Sequence, residues 1–263
     1  LARLGVKAQV ADLTDTDTLD KIIADDACLI FAEYITNPQL ELVDIKKLSE
    51  VAHKHGLPLI VDTTAVPFTD IDARELGIDV EVLSSTKYIS GGATSLGGLI
   101  LDFGTFKEVN QRIRFEFLFN LGTYMTPQVA YMQTLGLETL NVRYQKQAQN
   151  ALDLAKALQQ LPQVKRVNYP GLSLGKPFGA MLTIDLESEQ KCFDFLNSLR
   201  LIRRATNLFD NKSLAIHPYS TIFVGFTPEE KKQMDILDTT IRLSMGLEDV
   251  NDLFEDIKQA LDK

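Results

Sequence analysis

Apolar positions come along this chain in two rhythms, and the two alternate. Residues 28–33 form an apolar run of strand length. Ile45, Leu48, Val51, Ala52 and His55 then fall at helical spacing, with Asp44 near the start and Gly56 as a stop, which predicts a helix over 43–55. A second buried strand runs from Leu57 to Asp62, a short helix or turn from Ile71 to Leu76, a third strand over 80–85 and a fourth over 97–102. Strands alternating with helices predict an α/β layer whose sheet is mostly parallel. Ahead of it, residues 1–6 read as the end of a helix and 7–11 as a short strand.

Helical spacing dominates next, over 127–135 and 137–161, until Pro162 stops it. The rhythm then changes to strands over 164–169, 180–186, 213–217 and 240–245, with a helix over 189–199 between them. A last helix, 249–262, has Val250, Leu253, Phe254, Ile257 and Leu261 on one face. This second half reads as a smaller α+β domain. The boundary is set along the long helix, giving a large α/β domain over 1–140 and a small C-terminal domain over 141–263. The chain opens without Met and inside what reads as a domain, so the N-terminal part of the large domain is expected to be missing from these residues.

Charge narrows the partners. Lys and Arg number 27 against 36 Asp and Glu, a net charge of −9, and an acidic chain repels a phosphate backbone, so nucleic acid is not expected. The apolar runs are short and interrupted by charge, which predicts no membrane span, and no signal peptide opens the chain. The two cysteines, Cys28 and Cys192, make neither a disulfide framework nor a metal site, so a reducing cytoplasm is the expected compartment and no metal is expected.

Asn37, Asp62 and Lys87 stand at or just past the carboxyl ends of three predicted strands, the edge where open α/β sheets bind ligands. Singly, each has an ordinary reading: a turn at Asn37-Pro38, a helix cap at Asp62, a solvated charge at Lys87. Together they suit pyridoxal 5′-phosphate. A lysine that condenses with an aldehyde must be uncharged when it attacks. The cofactor's pyridine nitrogen wants a carboxylate, and its phosphate wants hydroxyl and amide donors. Asp62, Lys87, Ser84 and Thr86 are groups of those kinds. His53, His55 and His217 read as structural, and the aromatic cluster Phe115, Phe117, Phe119 and Tyr124 as core packing. No G-x-G-x-x-G follows a strand, which disfavours a dinucleotide-binding fold.

Five motifs in order, Glu33 to Pro38, Val61 to Pro67, Ser84 to Tyr88, the glycine pairs Gly91-Gly92 and Gly97-Gly98, and Arg242 to Glu248, resemble the cofactor signature of the Cys/Met-metabolism (trans-sulfuration) pyridoxal-phosphate enzymes. The resemblance implies the fold-type I architecture. It implies that Lys87 carries the cofactor and acts as catalytic base, and that Asp62 pairs with its pyridine nitrogen. Asn37 would bond its phenolic oxygen; Ser84 and Thr86 would bind phosphate, with Thr64 also in the cofactor site. Arg242 would take the substrate α-carboxylate, a task suited to a planar bidentate donor. A preceding segment would supply a phosphate loop and a stacking tyrosine, a partner subunit would add phosphate contacts, and a homo-oligomer, dimer or tetramer, is implied.

Residues 93–98, 167–172 and 205–214, followed by His217-Pro218, resemble the O-acetylhomoserine sulfhydrylase branch, where the residue at Asn207 lies by the substrate carboxylate. The chain departs from that branch at Phe209, where the branch has Gly, at Gly92-Ala93 in place of His-Gly, at Ile222-Phe223 in place of a polar pair, and in a short 171–178 segment. The implied reaction is γ-replacement on O-acetylhomoserine by sulfide or a thiol. A methionine γ-lyase, a cystathionine synthase or lyase, and a truncated remnant without catalysis are the other readings.

Overall fold

The computed structural model describes residues 2–263. Helix α1 (Thr16–Ile22) opens behind Asp15, whose carboxylate accepts the Thr18 N–H. Strands β1 (Ile30–Glu33), β2 (Leu59–Asp62) and β3 (Val80–Leu83) lie side by side and parallel, and β4 (Leu99–Asp102) pairs antiparallel with β3. Helix α2 (Ile45–Lys54) crosses between β1 and β2, capped by Asp44 on the Lys47 N–H. Its stripe Ile45, Leu48 and Ala52 packs on Ala32, Leu59 and Val61. Ile45 and Leu48 each contribute roughly 1.5–3 kcal/mol when removed from water, and Ala52 less. The register sets Glu33 beside Asp62 and Asp62 beside Val82, so the parallel strands end level.

Helix α3 (Lys107–Arg112) widens into a π-helical stretch, Ile113–Asn120, before α4 (Pro127–Leu137) and α5 (Leu140–Leu158). The second sheet takes β5 (Arg166–Asn168), β6 (Met181–Asp185), β7 (Arg203–Arg204), β8 (Leu214–Ile216) and β9 (Thr240–Ser244) in the order β5-β6-β9-β8-β7. Only β7 and β8 pair parallel there. Around this sheet stand α6 (Pro170–Leu174), α7 (Glu189–Ser198), α8 (Pro228–Gln233) and α9 (Val250–Leu261). Among the described residues no helix is long and apolar enough to cross a membrane.

Two expectations from the sequence need correction. Residues 7–11 form no strand; Val10 is 95% exposed, and no neighbouring strand pairs with the segment among the described residues. Phe115, Phe117, Phe119 and Tyr124 do not pack in the core: Phe119 is 80% exposed, and all four lie on the surface of the π-helical stretch and the turn after it. The three histidines take structural positions: His53 pairs with Asp79, His55 with Asp20, and buried His217 bonds Ser220 Oγ and the Asp238 carbonyl.

Helix α5 joins the two sheets. Leu140, Tyr144 and Ala148 pack with Tyr88 and Leu83, whereas Ala151, Leu154 and Leu158 enter the core under β6 and β9. The junction is sealed by three tyrosines. The amides of Phe178, Gly179 and Ala180 donate in turn to the hydroxyls of Tyr169 at 2.9 Å, Tyr144 at 3.0 Å and Tyr88 at 3.0 Å. Tyr144 donates its own O–H to Asp70 Oδ2 at 3.0 Å. Burial pushes all three phenols above their ordinary range, Tyr169 to about 12, so each stays neutral and able to donate.

Replacing Tyr144 by Phe removes the acceptor of a buried amide. A loss of about 1–3 kcal/mol is expected, the cost of an unpaired buried donor. Urea unfolding of Tyr144→Phe against the parent measures it, and an unshifted midpoint would show that the junction does not depend on this bond.

Candidate active site

The carboxyl ends of β1, β2 and β3 deliver Asn37, Asp62 and Lys87 to one edge of the first sheet. After β2, the chain turns at Thr63-Thr64. Thr64 N–H donates to Asp62 Oδ1 at 2.8 Å, and Thr64 Oγ1 accepts the Ser84 N–H at 2.8 Å. One threonine therefore orients the carboxylate and ties β2 to the turn after β3. That turn closes with Lys87 N–H on the Ser84 carbonyl at 3.2 Å. Thr86 Oγ1 accepts the Gly97 N–H at 2.9 Å and sits 3.2 Å from the Gly97 carbonyl, so its hydroxyl is already engaged by backbone. Among the described residues, the Ser84 hydroxyl and Asp62 Oδ2 have no side-chain partner in the chain.

The second sheet brings in the other half. Lys87 Nζ donates to Asn207 Oδ1 at 2.6 Å, across 120 residues of sequence. Arg242, on β9 and 2% exposed, donates to Asn37 Oδ1 at 3.0 Å and to the Thr206 and Asn207 carbonyls at 3.2 and 3.4 Å. Asn37 thus has its oxygen turned to Arg242 and its NH2 left for another acceptor. Lys87, Asn207, Arg242 and Asn37 form one connected chain of contacts.

Electrostatics favour an amine that can act as nucleophile and base. Burial, and then the nearby Arg242 guanidinium, lower the Lys87 pKa below its ordinary value. Burial lowers Arg242 as well, to about 10, which still leaves it charged at neutral pH. An anion entering beside Arg242 would find a fixed, charged donor.

Sequence reading did not single out the pair beneath Asp62. Thr63 Oγ1 donates to Glu81 Oε1 at 2.5 Å, and Glu81 on β3 is 1% exposed. Burial raises the Glu81 pKa, while the Thr63 hydroxyl opposes that rise. The pair braces the residue after Asp62 against the neighbouring strand. A glutamate inside the apolar run Val80 to Leu83 was the available signal.

The family profile described as Cys/Met metabolism PLP-dependent enzyme matches residues 1–262 of this chain. L-methionine gamma-lyase of Pseudomonas putida is 34% identical over 275 residues, spanning 99% of this chain and 68% of that protein. A Campylobacter jejuni protein described as an O-acetylhomoserine (thiol)-lyase, solved with N′-pyridoxyl-lysine-5′-monophosphate, is similar with a TM-score of 0.92 and 32% identity, over 100% of this chain and 72% of that one. An O-acetylhomoserine sulfhydrylase of Wolinella succinogenes is similar with a TM-score of 0.83 and 38% identity, over 99% of this chain and 79% of that one.

Glu81 gives the site a pH signature. Its folded pKa lies above the ordinary glutamate value of 4.5, so the native state binds more protons in the window between them. Stability should therefore fall as pH rises through that window, and no loss is expected below it. Glu81→Gln keeps an acceptor for Thr63 and cannot ionise. Its stability advantage over the parent should grow with pH from about 4.5 upward and then level off. Urea midpoints of both proteins across pH test this; parallel curves would mean that Glu81 is not a buried titrating group.

Proposed function

The chain belongs to the Cys/Met-metabolism PLP-dependent enzymes, and from that membership we propose γ-replacement on O-acetyl-L-homoserine, with sulfide or a thiol as nucleophile. At the coarser level it is a pyridoxal-phosphate enzyme of sulfur amino-acid metabolism that works by γ-elimination or γ-replacement on amino-acid substrates. The convergence of Lys87, Asn207, Arg242 and Asn37 carries the reading of the site. The 38% identity to the Wolinella succinogenes O-acetylhomoserine sulfhydrylase supports this substrate.

The donor set fits the cofactor. Asp62 keeps one free oxygen for a pyridine nitrogen, the Asn37 NH2 is free for a phenolic oxygen, and Ser84 offers a free hydroxyl to phosphate. Lys87 is an amine with a lowered pKa. Thr64 and Thr86 shape the turns that present these groups. Bound there through Lys87, the cofactor would supply an electron sink at the substrate Cα.

Arg242 would hold the substrate α-carboxylate, with Asn207 alongside, and so fix Cα over the site. Lys87, freed when the substrate amine takes its place, would remove the Cα proton. The Asn207 side-chain Oδ1, which accepts from its Nζ, would keep the amine aimed. Proton removal at Cβ would let the γ-acetate depart, and Lys87 would return a proton after the sulfur nucleophile adds. We assign 1–140 to cofactor binding and 141–263 to the small domain, and the cytoplasm as compartment. A homo-oligomer is proposed as well, supported by exposed Phe115, Phe119, Leu121, Tyr124 and Tyr131, an apolar surface of the kind that partners cover.

Lys87→Ala is expected to lose the visible absorption band that the parent gains with pyridoxal phosphate, along with turnover; normal turnover in that variant would remove Lys87 from the reaction. Asp62→Ala should cut kcat far more than cofactor affinity, since the carboxylate acts on the electron sink, and a near-parental kcat would break the assigned pairing. Side-by-side assays with O-acetyl-L-homoserine plus sulfide, with methionine and with cystathionine decide the substrate. A preference for methionine would move the protein to the activity of its Pseudomonas putida relative, and no turnover with any of them would favour a remnant without catalysis.

A further inference from the structure

We propose that Phe209 is a positioning residue for Lys87: its ring, stacked on Tyr88, and its left-handed backbone hold Asn207 against the lysine amine. The inference rests on the reading of Lys87 as the cofactor-bearing lysine.

Phe209 has a φ of 56° and is 1% exposed. A bulky side chain seldom adopts that backbone, and its surroundings must hold it there. Two contacts do so. The ring stacks on Tyr88 with centroids 4.4 Å apart and planes 21° from parallel. The Phe209 N–H donates to Ser244 Oγ at 2.7 Å.

The stack sits one residue after Lys87 on one segment and two residues after Asn207 on the other. Lys87, Tyr88, Phe209, Leu208 and Asn207 therefore form a closed circuit with two noncovalent joints, the stacked rings and the 2.6 Å bond from Lys87 Nζ to Asn207 Oδ1. Asn207 cannot slide along Lys87 without unstacking Phe209. Tyr88 is a firm base for the stack. Its hydroxyl accepts the Ala180 N–H at 3.0 Å, its carbonyl accepts from Arg143 at 2.7 Å, and Tyr144 meets it edge-on at 5.3 Å. On the other side, Arg242 grips the Thr206 and Asn207 carbonyls.

An amine that gives one N–H to a fixed acceptor has its rotation about the Cε–Nζ bond, and with it the direction of its lone pair, restricted. Attachment of an aldehyde cofactor depends on that direction. Glycine at 209 would adopt the same backbone freely but would leave the register to the hydrogen bond alone.

The test mixes cofactor-free protein with pyridoxal phosphate and follows the rise of the visible band by stopped flow. Phe209→Leu and Asn207→Ala should each slow attachment about tenfold or more, as misplacement of a reacting group does. The double variant should be no slower than the slower single one, because both act through one contact. Phe209→Tyr, which keeps the ring, should attach at close to the parental rate. A parental rate in Phe209→Leu, even with lowered thermal stability, would overturn the inference, as would multiplicative effects in the double variant. Should Phe209→Leu fail to fold, Ser244→Ala removes only the backbone partner and is expected to slow the same step; an unchanged rate there would count against the proposal. A band that persists in Lys87→Ala would overturn the reading of Lys87 and this inference together. Loss of the band in Lys87→Ala with a parental rate in Phe209→Leu would overturn the inference alone.

Discussion

Phe178, Gly179 and Ala180 lead into β6 with three amides that receive their acceptors from three tyrosine hydroxyls. Those tyrosines come from the turn after β3, from α5 and from the residue before α6. An unpaired buried amide is expensive, so all three elements are fixed relative to one short segment. The Ala180 carbonyl in turn accepts the Met245 N–H at 2.8 Å, just past the end of β9. Lys87 precedes one of the tyrosines, and Arg242 lies on β9. The distance between amine and guanidinium is therefore set through this junction. Gly179 is the position where the junction needs glycine: its φ is 72°, a left-handed backbone that residues with a Cβ rarely adopt.

Two cationic side chains share the site, and the fold keeps both by treating them differently. Arg242 is deeply buried but gives its N–H groups to three oxygens, so it retains its charge. Lys87 is half-buried and donates one N–H to a single amide oxygen, and both burial and Arg242 disfavour its charged form. The arginine thus biases the lysine toward the neutral amine.

Two non-glycine residues near the site adopt left-handed backbone. They are Ala93 and Phe209, with φ values of 54° and 56°. Each occupies the left-handed region that glycine adopts without cost. At Phe209 the compensation is visible in the stack on Tyr88 and the bond to Ser244. Ala93, a small residue at an exposed bend, has no comparable contact among the described residues.

Local pattern was enough to find β1, β2, β3, α2 and α9, because period and capping residues encode which face of an element is apolar. It was also enough to mark Asn37, Asp62 and Lys87, since polar residues that end apolar parallel strands fall on one edge of a sheet. The sequence could not say what covers an apolar face. Phe115, Phe117 and Phe119 have a spacing that suits a core, yet they lie on the surface of a π-helical stretch. Residues 7–11 alternate like a strand but find no partner. Nor could it foresee contacts that depend on bringing distant segments together: Lys87 on Asn207 across 120 residues, Tyr88 on Ala180 across 92, Arg242 on Asn37 across 205. Periodicity carries information over a few turns of chain. Which hydroxyl meets which amide is decided only when the two sheets dock, because that choice belongs to the geometry of packing and leaves no local trace.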